Sequence, residues 1–502
     1  MAGRAILEED EAAGLTDRVR GAVLWRSGSQ IVAQLVMWAA TFVVIRLLNP
    51  ADYGLFAMTQ VILVFLNLMN GCGLASALVR QEDVTQTQIR QVFGMLLLVN
   101  LALAFAQIAL SPLAAAYYRQ PMVGELMRVQ SLLYLATPFI ALPQALLGRR
   151  IDFRRQGQVH LLSAVLSAST ALGCAAAGLG VWTLVAAPIV LFWTQAIALT
   201  ILARSLVRPS FRFAGAGHLF RYGGTMVAVQ FFWFIQSQSD VFIAGRVFDP
   251  HDLGLYTTSL FLTQILAAKF VPPINEVSFA AYSRLQARPD AVAEAFLKAV
   301  RLVLLVALPF YFGLAATAEP LVMTALGPKW VATVPLVRTL AWAMPFMTLQ
   351  ILFAPAVNAL GRPGIPLRVA MTGAALMPLC FVVGVHFGEL GLARAWLVSF
   401  PLLLGVTAAL SLPAIGATLG QLGRAMLPGL LASAAMAAAV AGLGALLPPM
   451  APQPRLAILV TFGIATYGGL LFAFARPLTE EVLALLIRRR APAAPPAAAQ
   501  AL

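Results

Sequence analysis

RLLNPADYGLF, residues 46–56, interrupts two long apolar runs with an Arg, an Asn-Pro step, an Asp and a Gly; RVFDPHDLGLY, residues 246–256, does the same. Aligned, Arg46, Pro50, Asp52, Gly54 and Leu55 match Arg246, Pro250, Asp252, Gly254 and Leu255. A pattern that recurs at a fixed offset between similar flanks marks a duplication. Local chemistry accounts for most of the shared residues. Proline disfavours a helical residue before it, so Asn-Pro and Asp-Pro each end a helix. Asp52 and Asp252 are placed to cap the helix that follows, and Gly54 and Gly254 permit close backbone approach. Pro50, Asp52, Gly54, Pro250, Asp252 and Gly254 are therefore read as structural turn residues. Arg46 and Arg246 are either interfacial anchors or ligand contacts at the rim.

The correspondence continues downstream. SPLAAAYYRQPMVGELMRVQSLLYLATPF (111–139) echoes EPLVMTALGPKWVATVPLVRTLAWAMPF (319–346), QALLGRR (144–150) echoes VNALGRP (357–363), and GLGVWTLV (178–185) echoes GELGLARAWLV (388–398). The offset drifts only from about 200 to about 213, so the halves are copies of one unit. Each copy holds an even number of spans, which gives both the same orientation. Such parallel repeats are related by an axis near the membrane normal and leave a cleft between two lobes.

Composition sets the class. The chain of 502 residues is 60% hydrophobic and 11% charged, with mean hydropathy +0.85, whereas soluble proteins average about 25% charged. Its apolar residues come in blocks of roughly 20, the length of a helix crossing a bilayer core. The expected fold is all-α and polytopic, with about 14 transmembrane helices: two parallel six-helix repeats plus two C-terminal helices. The expected organisation is a cytoplasmic or interfacial amphipathic stretch over 1–26, an N-lobe over 27–203, a cytoplasmic linker over 204–221, a C-lobe over 222–412, two further spans over 413–478, and a tail over 479–502 that ends in low-complexity sequence. MAGRAILEEDEAAGLTDRVR does not have the pattern of a secretory signal. Cys72, Cys174 and Cys380 sit singly in apolar runs and read as packing residues.

Charge tests the topology. With a cytoplasmic amino terminus, about 25 of the 34 basic residues fall on the inner side, as the positive-inside rule requires. The net charge of +14 is spread over short loops, which points to anionic lipid at the inner leaflet and away from nucleic acid. Both termini are expected to be cytoplasmic.

At the repeated turn the chain resembles polysaccharide-repeat-unit flippases of the multidrug/oligosaccharidyl-lipid/polysaccharide superfamily. LLGRRIDFRR (146–155) and DLGLYTTSLFLTQILAAKFVPPINEVSFAAYSRLQ (252–286) carry the same resemblance, which covers residues ~20–480. It implies movement of an undecaprenyl-diphosphate-linked oligosaccharide from the inner to the outer leaflet of a bacterial cytoplasmic membrane, for O-antigen, capsule or exopolysaccharide. A polysaccharide polymerase and a chain-length regulator are the implied partners.

Such a transporter needs a polar cleft with positive charge. Lys269 leads the candidates, about 14 residues and so roughly 21 Å into the eighth span. Lys269, Pro272, Pro273 and Glu276 share one helix face, and Pro272-Pro273 is expected to break or kink the helix. A structural Lys269–Glu276 relay is the bland alternative. The seventh span supplies Gln230, Ser237 and Asp240, and the first supplies Gln30 and Gln34. Uncharged residues of this kind more often bond neighbouring helices. Asp240 is placed either to pair with Lys269, Arg246 or Arg46, or to take up a coupling ion, H+ or Na+. No cofactor, metal site or nucleotide-binding loop is legible, and the outer loops are too short for a polymerase or ligase, so the chain reads as a non-enzyme. Two rival functions remain: an ion-coupled exporter of small amphipathic compounds on the same scaffold, and a non-transporting scaffold of a glycan-assembly complex.

Overall fold

The computed structural model describes residue 25 and residues 28–70, 85–149, 153–211 and 224–474, and every regular element among them is helical. In chain order they are α1 (Gly28–Leu47), α2 (Pro50–Asn70), α3 (Gln86–Tyr118), α4 (Pro121–Arg149, with turns at Ser131 and Thr137), α5 (Phe153–Ala176), α6 (Trp182–Ala203), α7 (Gly224–Val247), α8 (Pro250–Leu285) and α9 (Pro289–Ala316). A short helix, Ala318–Ala325, and a 3-10 turn, Pro328–Trp330, lead into α10 (Thr333–Ala359). α11 (Gly364–Val385), α12 (Gly388–Ile415), α13 (Leu419–Leu446) and α14 (Pro452–Phe474) follow.

Twelve of these helices, all but α7 and α8, are long and apolar enough to cross a membrane. α7 and α8, at 24 and 36 residues, have the length but carry the polar residues singled out above. The expected fourteen spans thus stand as twelve by apolarity and two polar helices of spanning length. Large apolar side chains such as Phe105, Leu113, Ile201 and Phe472 are exposed, as they are where lipid rather than water is the solvent.

Helix starts follow local chemistry. Thr85 and Gln88 form a reciprocal capping box at α3, and Thr418 and Gln421 form one at α13, each satisfying two N–H groups. Proline opens α2, α4, α8, α9 and α14, where its missing N–H costs nothing. Pro272 and Pro273 do not break α8, which is continuous from Pro250 to Leu285. Prolines are tolerated inside membrane helices because local adjustments and neighbours satisfy the freed carbonyls.

The duplication is visible in the backbone. Gly178 before α6 and Gly388 at the start of α12 are repeat equivalents, and both have φ +74°. Arg119 after α3 and Gly327 before α10 are also equivalents, with φ +55° and +97°. A non-glycine residue in this left-handed region costs about 1 kcal/mol, so the geometry persists in the first copy without its natural residue.

The described residues divide into two compact units. One comprises Met1–Thr258, Ala325–Thr333 and Ala370–Ala395; the other comprises Ser259–Thr324, Val334–Val369 and Trp396–Leu502. The first has several small cores, including Ile89, Phe93 and Leu142, and separately Leu126, Val181 and Val185. The second has one larger core running through Phe296, Leu304, Phe353, Leu412 and Met436. There α13 packs closely on α9, with Gly429 against Leu308, the small-residue packing that brings membrane helices together. The expected lobe limits are defined by sequence repeat and these units by packing. The interfacial stretch and the C-terminal tail lie outside the described residues. Trp25 alone of that stretch is placed, with the Arg154 guanidinium 5.2 Å above its ring.

Candidate functional site

The two copies of the turn motif meet. α1 hands over to α2 between Leu47 and Pro50, and α7 to α8 between Val247 and Pro250. A Cβ on Gly54 would collide with the Pro250 carbonyl oxygen, and a Cβ on Gly254 with the Pro50 carbonyl oxygen. Each would also lie 3.0 Å from the backbone nitrogen of the opposite glycine. Only a residue without a side chain lets the helices cross this closely, and the crossing is reciprocal, as an axis of pseudosymmetry demands.

The arginines obey the same symmetry. Arg46 Nε donates to the Ala325 carbonyl oxygen at 3.2 Å, and Arg246 Nη1 to the Tyr117 carbonyl oxygen at 2.8 Å. Tyr117 and Ala325 are equivalent positions of the repeat, so each copy's arginine holds the other copy. Both bonds end on helical carbonyls that lack a full helical complement, where a cation is favoured by the helix dipole.

Further contacts close this end. Trp330 is fully buried and donates from Nε1 to the Ile45 carbonyl oxygen at 3.0 Å, with Tyr53 edge-on to its ring at 5.6 Å. Lys329 Nζ reaches the Leu47 carbonyl and Asn49 Oδ1, both at 3.4 Å. On the other flank Tyr117 stacks on Phe242 at 4.6 Å, its hydroxyl donates to the Phe242 carbonyl at 3.3 Å, and the Arg246 guanidinium lies 5.7 Å from its ring centre. Gly245 lies against the Tyr118 ring, leaving no room for a side chain. The result is a dense plug of aromatic rings, cations and bare backbone at the end the charge pattern places outside.

The caps divide between the copies. Asp52 is the third residue of α2, and its Oδ2 accepts from the Asn49 N–H at 3.0 Å, the return half of a capping box. In the second copy Asp249 is the cap, accepting from the Asp252 N–H at 2.9 Å, while Asp252 meets His251 Nδ1 at 3.2 Å. The capping expected of Asp252 is thus made by Asp249. Ligand atoms of Asp249, His251 and Asp252 lie within 4.8 Å of one another, but they are surface groups already serving the helix start.

Asp240 of α7 is fully buried. Its Oδ2 accepts from the Tyr256 hydroxyl of α8 at 2.8 Å, and Oδ1 is buried without a hydrogen-bond partner. Arg46 and Arg246 are committed to the backbone bonds just described, so the pairings weighed between them and Asp240 are not made. The Ser237 hydroxyl bonds back to Phe234 of its own helix at 3.3 Å. Gln30 and Gln230 are exposed and Gln34 is half-buried, and none of the three makes a hydrogen bond among the described residues.

Lys269 lies near the middle of α8, a helix of 36 residues and so roughly 54 Å. The helix begins at Pro250, which places Lys269 deeper than its distance from the expected span start suggested. Lys269, Pro272, Pro273 and Glu276 are all exposed, and the face they share is not packed. No ion pair joins Lys269 to Glu276, so the structural relay is not made.

Sequence reasoning passed over Trp330, Lys329 and Tyr117. Their signal was present: GPKW puts two of the chain's rarer residue types into a short connection, at the repeat position of YRQPM.

The sequence model of the family described as "Polysaccharide biosynthesis protein" matches residues 43–335. The succinoglycan biosynthesis transport protein ExoT of Rhizobium meliloti (strain 1021) is 25% identical over 352 residues, covering 70% of this chain and 71% of that protein. The teichuronic acid biosynthesis protein TuaB of Bacillus subtilis (strain 168) is 22% identical over 65% of this chain and 68% of its own. Among solved structures, the lipid II flippase MurJ in an inward closed conformation superposes with a TM-score of 0.74 at 12% identity, covering 91% of this chain and 100% of that one. The likeness to that structure is one of fold.

Proposed function

The chain belongs to the polysaccharide biosynthesis protein family, and from that premise we propose that it is a flippase. It carries undecaprenyl-diphosphate-linked oligosaccharide repeat units from the inner to the outer leaflet of the bacterial cytoplasmic membrane. The observation that carries the mechanism is the reciprocal crossing of Gly54 and Gly254, flanked by the Arg46 and Arg246 clamps. A duplicated unit that closes one end by like-with-like contacts can release that end by parting its copies, which is alternating access. The contacts are short, numerous and two-sided, so they form or break together rather than one at a time.

In this reading Lys269 and Glu276 belong to the cargo path, with the Lys269 ammonium set against the diphosphate. An unpacked ammonium deep in a membrane helix needs an anion or water, and a diphosphate supplies the anion. Gln30, Gln34 and Gln230 are open to the sugar's hydroxyls, and Arg46 and Arg246 belong to the closure. Asp240, buried against Tyr256, is the place for a coupling H+ or Na+. The chain performs no covalent step, and its partners are the lipid-linked glycan, inner-leaflet anionic lipid, and a polymerase with its chain-length regulator. Both termini lie in the cytoplasm.

The test is reconstitution in vesicles with a fluorescent lipid-linked glycan and a reagent that quenches only the outer leaflet. Leaflet transfer above protein-free vesicles is expected. Its absence, with and without imposed H+ or Na+ gradients, would sink the proposal.

A further inference from the structure

A groove with a cavity volume of about 610 Å³ opens within the second compact unit, between α9, α10, α13 and α14. It lies away from the paired turns, and two of its walls, α13 and α14, lie outside the duplicated helices. Its lining changes with depth. Arg338, five residues into α10, Arg455, three residues into α14, and Glu319, just beyond α9, stand at the mouth. At 1.5 Å per residue the arginines enter roughly 5–8 Å below the helix ends. Deeper, the wall is Leu459, Ala438, Trp342 and Ala434, and Ala434 lies 12 residues, roughly 18 Å, from the end of α13. The groove therefore has a charged mouth at the outer membrane boundary and an apolar trough reaching towards mid-membrane.

Charge at the mouth is unbalanced. Two guanidinium groups face one carboxylate, and neither arginine forms an ion pair with Glu319 among the described residues. Arg455 is held in place by donating from Nη2 to the Gly444 carbonyl oxygen at 3.0 Å, while its Nε is buried with no partner. A buried N–H without an acceptor is costly, and a fixed guanidinium presents donors in the geometry that suits a phosphate.

We propose that this groove binds one anionic phospholipid of the outer leaflet. Its phosphodiester sits between Arg338 and Arg455 and one acyl chain lies along the alanine face of α13. The net charge of +1 at the mouth matches a monoanionic headgroup, and the trough buries apolar chain that a soluble anion lacks. The outer-leaflet site rests on the proposed orientation of the helices and is independent of the cargo.

The experiment is native mass spectrometry of the full chain, delipidated and then titrated with phosphatidylglycerol or phosphatidylcholine of matched chains. The wild type is expected to retain one phosphatidylglycerol about tenfold more tightly than phosphatidylcholine, a charge-assisted pair being worth about one decade. Arg338→Gln with Arg455→Gln should abolish that preference, while Arg424→Gln at the opposite end of α13 should leave it. Because Arg455 also braces Gly444, Ala434→Trp serves as a second variant: it fills the trough well below the charged mouth, and should remove bound lipid of both kinds at this site. Equal retention of the two lipids by the wild type would overturn the proposal. So would an unchanged preference in the double Gln variant, or displacement of the lipid by glycerol phosphate at equal concentration, which would make the groove a site for a soluble anion.

Discussion

Replacing Gly254 by Ala should unlatch the outer end. The new methyl group would meet the Pro50 carbonyl oxygen and stand 3.0 Å from the Gly54 nitrogen, against backbone on both sides, so neither neighbour yields by rotating a side chain. The helices must part, and overpacking of this kind costs about 1–3 kcal/mol. That energy is charged to the closed state alone, because the contact exists only while the copies touch, so the closed-to-open ratio should fall about 5- to 150-fold. The reciprocal geometry adds a sharper expectation. Gly54→Ala should have the same effect within about twofold, and the double variant should fall short of the sum, since the first methyl has already opened the gap for the second. The assay is modification of Ile45→Cys by a membrane-impermeant thiol reagent, with Cys72, Cys174 and Cys380 replaced by Ser. Ile45 is fully buried beneath Trp330, so labelling should be slow in the parent and faster by the stated factor in the glycine variants. Unchanged labelling in folded Gly54→Ala, Gly254→Ala and double variants would refute the latch.

Four other outcomes are expected. Trp330→Phe keeps an aromatic ring but deletes the N–H, leaving the buried Ile45 carbonyl without it at a cost of about 1–3 kcal/mol, and a smaller ring adds a void beside it; thermal melting and Ile45→Cys labelling should both register it. Arg246→Lys keeps the charge but loses the planar group over Tyr117, worth about 0.5–1 kcal/mol, so transport should change by less than about fivefold, whereas Arg246→Met should impair it further. Tyr256→Phe leaves both Asp240 oxygens unpaired and should lower the melting temperature, while Asp240→Asn preserves an acceptor for Tyr256, so it should fold normally and lose ion-dependent transport in vesicles. Lys269→Gln should insert and fold normally yet fail to move the fluorescent glycan; full transport would remove Lys269 from the cargo path.

Much of the fold was legible because the bilayer imposes simple rules. Apolar blocks of about 20 residues joined by short loops follow from burying backbone in hydrocarbon. α7 and α8 were placed as the seventh and eighth spans, and Gln230, Ser237, Asp240 and Lys269 are among the polar residues that keep them out of the twelve apolar helices. Pro272-Pro273 is answered in part. The expectation was a break or a kink; α8 runs on without a break, although neither proline has an N–H to give the carbonyl four residues before it.

The roles of single residues were harder to read. Arg46 and Arg246 are separated by 200 positions, and nothing local distinguishes a rim arginine that meets a ligand from one that bonds a carbonyl across the molecule. The same holds for Asp240, whose partner Tyr256 lies beyond the α7–α8 turn and was never among its expected partners.

By itself the sequence determined the membrane class, the duplication, and the turn chemistry of Pro50, Asp52, Gly54, Pro250 and Gly254, because these depend on composition and on neighbours a few residues away; the cap of the second copy fell to Asp249 instead of Asp252. Only the tertiary structure decided that the two turns press on each other, that each arginine serves the opposite copy, and that Trp330 seals Ile45. Those contacts are set by the pseudo-twofold axis, and an axis relates positions far apart in the chain through space, where no local pattern can record it.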